Sequence, residues 1–447
     1  MSWKVFRTVS IVSLMLAASL RALAYSASPG AQLGAPTSQG GDDRAEEESS
    51  TRYKSNSHTS VTERFLSNMR SPIGFSMGLF ELYVPDTAGA GSKFKSNLYT
   101  MARPRVFMAT KTKRSQFQVD YSFGYRRYNH ESQIHSSEHS AVANFTYQIS
   151  HRVSLHVSDD FRSQFNDRSV LPSSSTPVLY QPGFAQGLYL PGERTTSNAF
   201  VTGLTYQLGM RRNVTVLNSY ELWRYGASTF SRSHGIQAGV RIDLQVSKWL
   251  SQDSSYSHYL NAVPGRFQTT NIHRLQLGGL KFKPARSVEV YVSGGADSTR
   301  IQDRQRTIGS FQGGISRTSG STLLSLVYHR GFSVAVGPDA TLNGQMVSAS
   351  VSQWLSSRVS IQATSSYTRG ASINKDSKVE YLGANAELQI VMQRHLLFST
   401  QYYYVSQHGR NLGSDNLLLT RYTVTTGFQF VFPSLGGRER GSIQLNR

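Results

Sequence analysis

From Pro72 onward the chain alternates apolar and polar residues with a period of two, the pattern of strands with one dry and one wet face. Phe117, Val119, Tyr121, Phe123 and Tyr125 alternate with Gln118, Asp120, Ser122, Gly124 and Arg126. Ile236, Ala238, Val240, Ile242, Leu244 and Val246 alternate with Gln237, Gly239, Arg241, Asp243 and Gln245 in the same way. The frame recurs over 359–367, 382–390 and 422–432. It breaks in Val214 to Arg224 and in Ser321 to Tyr328, where bulges are expected.

The connections alternate in length as well. Short links fall at Thr112–Ser115, Ser150–Arg152, Gly209–Asn213, Lys248–Leu250, Lys283–Ser287, Thr318–Ser321, Leu355–Arg358 and Gln393–His395. Longer segments rich in Ser, Asn, Gly and Arg lie between them. Each short link defines a hairpin. With a first strand near Ile73–Val84 and a last one ending at Phe432, the count is even, roughly eighteen (16–18), and both ends lie on one side. Soluble all-β sandwiches also alternate, but these strands of about ten residues continue to Phe432 with no second, opposing apolar register. The expected fold is all-β: a transmembrane antiparallel up-and-down β-barrel over residues 72–432 with its dry faces in lipid.

The flanks fit an exported chain. Residues 1–24 read as a cleaved signal peptide, with Lys4 and Arg7 before an apolar run from Val9 to Leu20 and a small-residue site at Ala22-Leu23-Ala24. An uncleaved anchor is the competing reading, since Arg21 sits close to the cut. Beyond this segment no apolar run reaches the roughly 18 residues of a helical span, so strands have to carry the chain through the membrane. Residues 25–71 are polar, with an acidic cluster at Asp42, Asp43, Glu46, Glu47 and Glu48, and read as a flexible periplasmic lead-in. Within it, only Val61 to Met69 suggests a short helix. A basic tail, residues 433–447, follows the last strand and is expected in the periplasm.

The stretch Tyr422-Thr-Val-Thr-Thr-Gly-Phe428-Gln-Phe430-Val-Phe432 resembles the terminal strand of Gram-negative outer-membrane β-barrel proteins of the porin-like kind. Tyr422, Phe428, Phe430 and Phe432 occupy the alternate apolar places, and Phe432 the final aromatic one. The resemblance implies an outer-membrane address and recognition of this strand by the barrel-assembly machinery. The chain departs from the pattern by continuing into the basic tail, and no motif names a porin or transporter subfamily.

Charge and composition narrow the chemistry. There are 47 Lys+Arg against 27 Asp+Glu, a net charge of +20, and no cysteine, which excludes disulfides, a lipidated terminal cysteine and thiolate metal sites. Much of the basic excess sits in the short turns, at Lys111, Lys113, Arg114, Arg152, Arg211, Arg212, Lys248, Lys281, Lys283, Arg286, Arg317, Arg358 and Arg394. There it would meet anionic phospholipid headgroups; outer-membrane lipid and lipopolysaccharide are the expected surroundings of the barrel as a whole. Nucleic acid would require the cations gathered on one stripe with aromatics interleaved, so it is not an expected partner.

A second set of charges falls on the polar faces: Asp120, Arg126, Arg241, Asp243, Glu387 and Arg421, joined in neighbouring strands by Asp160, Arg162, Arg274 and Glu289. Facing a lumen, they would filter ions and small hydrophilic solutes with a mild preference for anions; alternatively they are salt bridges that hold a wet interior together. Within the barrel, the longest connection, Asn166 to Glu193, carries four prolines with Tyr180, Phe184 and Tyr189, and either folds inward as a constriction or caps the rim. Tyr147, Tyr206, Trp223, Trp249, Trp354, Tyr402 and Tyr404 suit interfacial girdles or cross-strand pairs.

No catalytic, metal or cofactor site is expected. His156 and Ser158 share the spacing of an outer-membrane phospholipase pair, but His135 and Ser137 repeat it by chance and no third residue orients the ring. The expected function is diffusion of small hydrophilic, and by charge anionic, solutes through an outer-membrane channel. The alternative is a non-conducting barrel serving exopolysaccharide export or acting as a structural or assembly component. Oligomeric state is not legible in one sequence.

Overall fold

The computed structural model describes residues 73–84, 97–128, 135–165, 185–187, 194–226, 232–262, 269–285, 287–301, 304–336, 340–373, 377–410 and 417–432. The signal segment, the lead-in and the carboxyl-terminal tail lie outside the described residues. The strands are β1 (Ile73–Val84), β2 (Asn97–Lys111), β3 (Ser115–Tyr128), β4 (His135–Ser150), β5 (Val153–Phe165) and a short β6 (Ala185–Gly187). After these come β7 (Arg194–Gly209), β8 (Arg212–Tyr225), β9 (Ser233–Gln245), β10 (Leu250–Ala262), β11 (Thr269–Ala285), β12 (Val288–Ile301) and β13 (Arg304–Ser319). The last six are β14 (Thr322–Val336), β15 (Ala340–Trp354), β16 (Val359–Ser372), β17 (Lys378–Gln393), β18 (Leu396–Arg410) and β19 (Leu417–Phe432).

All of them belong to one sheet, and with β6 set aside eighteen antiparallel strands follow one another round a closed ring. Closure is made where β1 meets β19, in unbroken register from Phe75 opposite Phe432 to Tyr83 opposite Val424. The wall strands run 12 to 17 residues. That exceeds the roughly ten needed to cross at a tilt, so their ends stand clear of the hydrocarbon. Every short link expected from the sequence is a turn between consecutive strands.

Several of those turns share one chemistry. Thr112 Oγ1 accepts the amides of Arg114 and Ser115 at 3.3 and 2.9 Å. Ser247 Oγ does the same for Trp249 and Leu250 at 3.3 and 3.1 Å, and Ser356 Oγ for Arg358 and Val359 at 3.2 and 3.1 Å. A hydroxyl that bonds two and three residues ahead closes a tight reversal without backbone strain.

The two faces sort as alternation requires. Outward positions are apolar and exposed, as at Phe428, Phe430 and Phe432 (49, 49 and 60%), whereas Gln429 and Thr425 between and below them face in. Toward the long connections the outer face becomes amphipathic, with Tyr121 to His139 at 3.0 Å, Tyr220 to His234 at 2.8 Å and Tyr256 to His273 at 2.8 Å. Such pairs present a ring to the acyl region while their polar atoms satisfy one another at the interface. Trp223 and Trp354 depart from the girdle expectation: their register partners Ser197 and Ser360 lie on the inward face, and so do they.

The bulges also sit elsewhere than expected. β8 and β14 pair without a shift through the irregular stretches. Their apolar frame breaks because Leu217, Trp223, Leu323 and Val327 face inward and Asn218 outward. The register slips instead at Asp253/Ser255 and at Leu277/Leu280, around Gly278, whose φ of 67° is the left-handed region that glycine tolerates.

At the closing seam Gly427 lies opposite Phe80, and a Cβ there would meet the Leu79 carbonyl oxygen and the Phe80 ring. Gly427→Val is therefore expected to cost about 1–3 kcal/mol through overpacking, read as a lower urea midpoint and a smaller folded band in unheated electrophoresis. An unchanged midpoint would remove the seam as a sensitive point.

Candidate functional site

All eight lumen candidates from the sequence, Asp120, Arg126, Arg162, Arg241, Asp243, Arg274, Glu387 and Arg421, fall on the inward face by register. Most are held in ion pairs, because a charge on a narrow inner wall is only partly hydrated and takes an opposite charge as its partner. Arg105 Nε donates to both Asp120 oxygens, at 2.7 and 2.9 Å. Arg126, fully buried over the Tyr99 ring, pairs with Glu138, which Arg103 also reaches at 3.2 Å. This β2–β4 wall thus sets three arginines against two carboxylates.

Further round the ring the balance reverses. Arg241 bridges Asp243 at 2.8 Å and Asp253 at 3.2 Å, one cation between two acids, and the buried Glu221 faces in on the next strand, β8. Arg162 pairs with Asp160 of its own strand at 2.8 Å. Near the short turns Lys281 and Lys283 share Glu289 at 3.1 and 3.4 Å. Glu387 accepts the Gln389 amide at 2.6 Å. His156 is met at Nδ1 by the Thr146 hydroxyl, 3.2 Å away, so an alcohol and not a carboxylate orients the ring.

The feature that sequence reasoning missed is the inward departure of β14. Its pairing with β13 stops at Arg330 opposite Phe311, although β13 remains paired with β12 to its end and β14 with β15 as far as Ala335 opposite Ala340. Beyond Arg330, β14 packs on the inner surface of the wall. The Phe332 amide donates to Asp297 Oδ2 at 2.9 Å, and Arg274 Nη2 donates to the Phe332 carbonyl at 3.2 Å. Arg274 and Asp297 form a two-pronged ion pair, with Nε to Oδ1 at 2.7 Å. Phe332 and Val334 are buried with Tyr259 and Ile272, inward residues of β10 and β11. The Thr341 hydroxyl of β15 lies 3.1 Å from that of Thr270. The end of the β14–β15 hairpin therefore stands inside the ring, latched to β10–β12.

Peeling away from β13 leaves one edge of β14 with unpaired backbone groups. β6 covers it: Ala185, Gln186 and Gly187 pair in parallel with Val334, Ala335 and Val336. β6 belongs to the connection between β5 and β7, which lie roughly opposite β14 in the strand order, so that connection reaches across to the infolded hairpin. The proposed constriction residues Tyr180, Phe184 and Tyr189 lie outside the described residues.

Removing one member of a buried ion pair strands the other at about 3–5 kcal/mol, and here it also strands the Phe332 amide. Asp297→Ala should release the hairpin and raise single-channel conductance in a planar bilayer; deletion of residues 174–186, which removes most of β6, should act in the same direction. Unchanged conductance in both variants would rule out an obstructing hairpin.

No protein-family model matches the chain, and no curated protein sequence matches it. Among solved structures, Acinetobacter baumannii OccAB4 is 10% identical, with 81% of this chain and 99% of that chain covered at a TM-score of 0.41. Pseudomonas aeruginosa OccK2 (OpdF), in complex with glucuronate, is 9% identical over 81% and 98% with a TM-score of 0.42. Pseudomonas aeruginosa OprD is 10% identical over 80% and 95% with a TM-score of 0.37. These are outer-membrane barrels, and likeness at this level carries nothing about cargo; the barrel assignment rests on the closed register, the outward apolar faces and the short turns described above.

Proposed function

We propose that the chain is an exported outer-membrane channel through which small hydrophilic solutes diffuse. The carrying observation is the lumen wall. It presents ion-paired side chains of both signs, with an arginine surplus on β2–β4 and, roughly a third of the way round the ring, an acidic surplus on β9–β10. Unlike charge on two stretches of one wall orients polar solutes and favours passage along the boundary between them. The larger basic contribution, with Lys281 and Lys283 sharing one acid, supports a weak preference for anions. Export by the 1–24 segment and insertion by the assembly machinery through Tyr422, Phe428, Phe430 and Phe432 belong to the same proposal.

One observation favours the second reading, a non-conducting barrel in exopolysaccharide export or assembly. Large inward side chains near the long connections are buried, among them Leu82, Tyr99 and Met101 on one side and Phe332 and Val334 on the other. A barrel stoppered by its own hairpin would serve those roles without passing ions.

Reversal potentials across a potassium chloride gradient separate the two. A channel with chloride modestly preferred over potassium is expected, and Arg103→Gln with Arg105→Gln should move the ratio toward potassium by about twofold, a shift of a few tenths of a kcal/mol in one barrier. Absence of conductance in correctly assembled protein would favour the second reading, and a clear cation preference would overturn the anionic one.

A further inference from the structure

The outer surface carries a basic strip that conduction does not use. Arg330 of β14, Gln345 of β15 and Arg369 of β16 lie side by side in one register row, all outward and exposed. Neighbouring strands stand about 4.8 Å apart, so the two arginines flank the glutamine at roughly twice that spacing. Both guanidinium groups and the amide can then reach one tetrahedral anion. A row nearer the long connections adds Lys378 beside Arg410, again exposed. One carboxylate enters the strip, Glu380, bound to Arg369 at 3.1 Å.

Two residues toward the short turns the same strands present Tyr328, Val347 and Tyr367, followed by the apolar surface that faces acyl chains. The order from rim to belt is cation, aromatic ring, aliphatic surface. That is the order of groups in a phosphorylated lipid at a membrane interface: phosphate, sugar or glycerol, acyl chain. A free phosphate would use only the first tier.

We propose that the Arg330–Gln345–Arg369 strip seats a phosphate of lipid A in the outer leaflet. The phosphate accepts bonds from both guanidinium groups and the Gln345 amide, the sugar lies against Tyr328 and Tyr367, and the acyl chains run down Val347 and the residues below. Two arginines matter more than two lysines here, because each offers a planar pair of donors to phosphate oxygens.

The test is native mass spectrometry of the delipidated barrel in detergent, titrated with bisphosphorylated lipid A, lipid A lacking both phosphates, and inorganic phosphate. Bisphosphorylated lipid A is expected to bind and the phosphate-free form to bind far more weakly. Arg330→Gln with Arg369→Gln should weaken binding roughly thirtyfold, as two surface cations lost at a membrane interface imply. Conductance should not change, since neither side chain lines the lumen. Should the double variant assemble poorly, Gln345→Glu, which places a carboxylate between the arginines, is expected to weaken binding as well. Equal binding of the phosphate-free lipid, variant affinities within about twofold of the parent, or displacement of lipid A by inorganic phosphate at equal concentration would each overturn the assignment.

Discussion

A peptide group in hydrocarbon has no water to bond with, and each one left unpaired costs several kcal/mol. An open sheet leaves two edges of such groups in lipid; a ring leaves none. The register between β1 and β19 is therefore the contact on which the rest depends, because it converts a ribbon of hairpins into a wall without edges. Once the wall is closed, alternation forces apolar side chains outward and polar ones into a confined interior, where charges have little water and pair with one another. The ion pairs of the lumen follow from closure and need no separate cause.

The same rule accounts for the infolded hairpin. Where β14 leaves β13 it creates a new edge, and the backbone groups on that edge find partners in two ways. The Phe332 amide and carbonyl bond the Arg274–Asp297 pair, and Val334 to Val336 bond β6. A segment from the far side of the ring thus completes the sheet inside the lumen. Phe332 and Val334 bury apolar surface against Tyr259 and Ile272, which supplies the hydrophobic part of the latch. The inward apolar residues Tyr259 of β10 and Ile272 of β11 are the landing surface for that hairpin.

Fold and facing were legible in the sequence to a large extent. Period two gave the faces of β3, β9, β16, β17 and β19, and the alternation of link lengths gave their order. Glycine 278 and its bulge were not legible, because a slip of one residue changes the frame only locally. β8 and β14 looked irregular for a different reason: inward Leu217, Leu323 and Val327 mimic a frame shift when the inner face is itself partly apolar. The inward charges could be assigned strand by strand, and Asp297 lies on the same inward frame as Glu289, eight residues earlier in the chain. Its partners could not be read, since Arg274, Asp297 and Phe332 belong to three strands and meet through a departure from the regular ladder. The Arg330–Gln345–Arg369 row was hidden for the same reason: only cross-strand register brings those residues abreast.

With no native cysteine in the chain, single cysteines can be placed at successive positions of β3, β16 and β19 and carry a fluorescent label in lipid bilayers. The account predicts a strict period of two: labels at 117, 119, 121, 361, 363, 428 and 430 are quenched by nitroxide lipids. Labels at 118, 120, 362, 364, 427 and 429 are quenched only by a water-soluble agent. Quenching by lipid that does not alternate, or water access to both faces alike, would contradict a closed barrel with its polar charges inside.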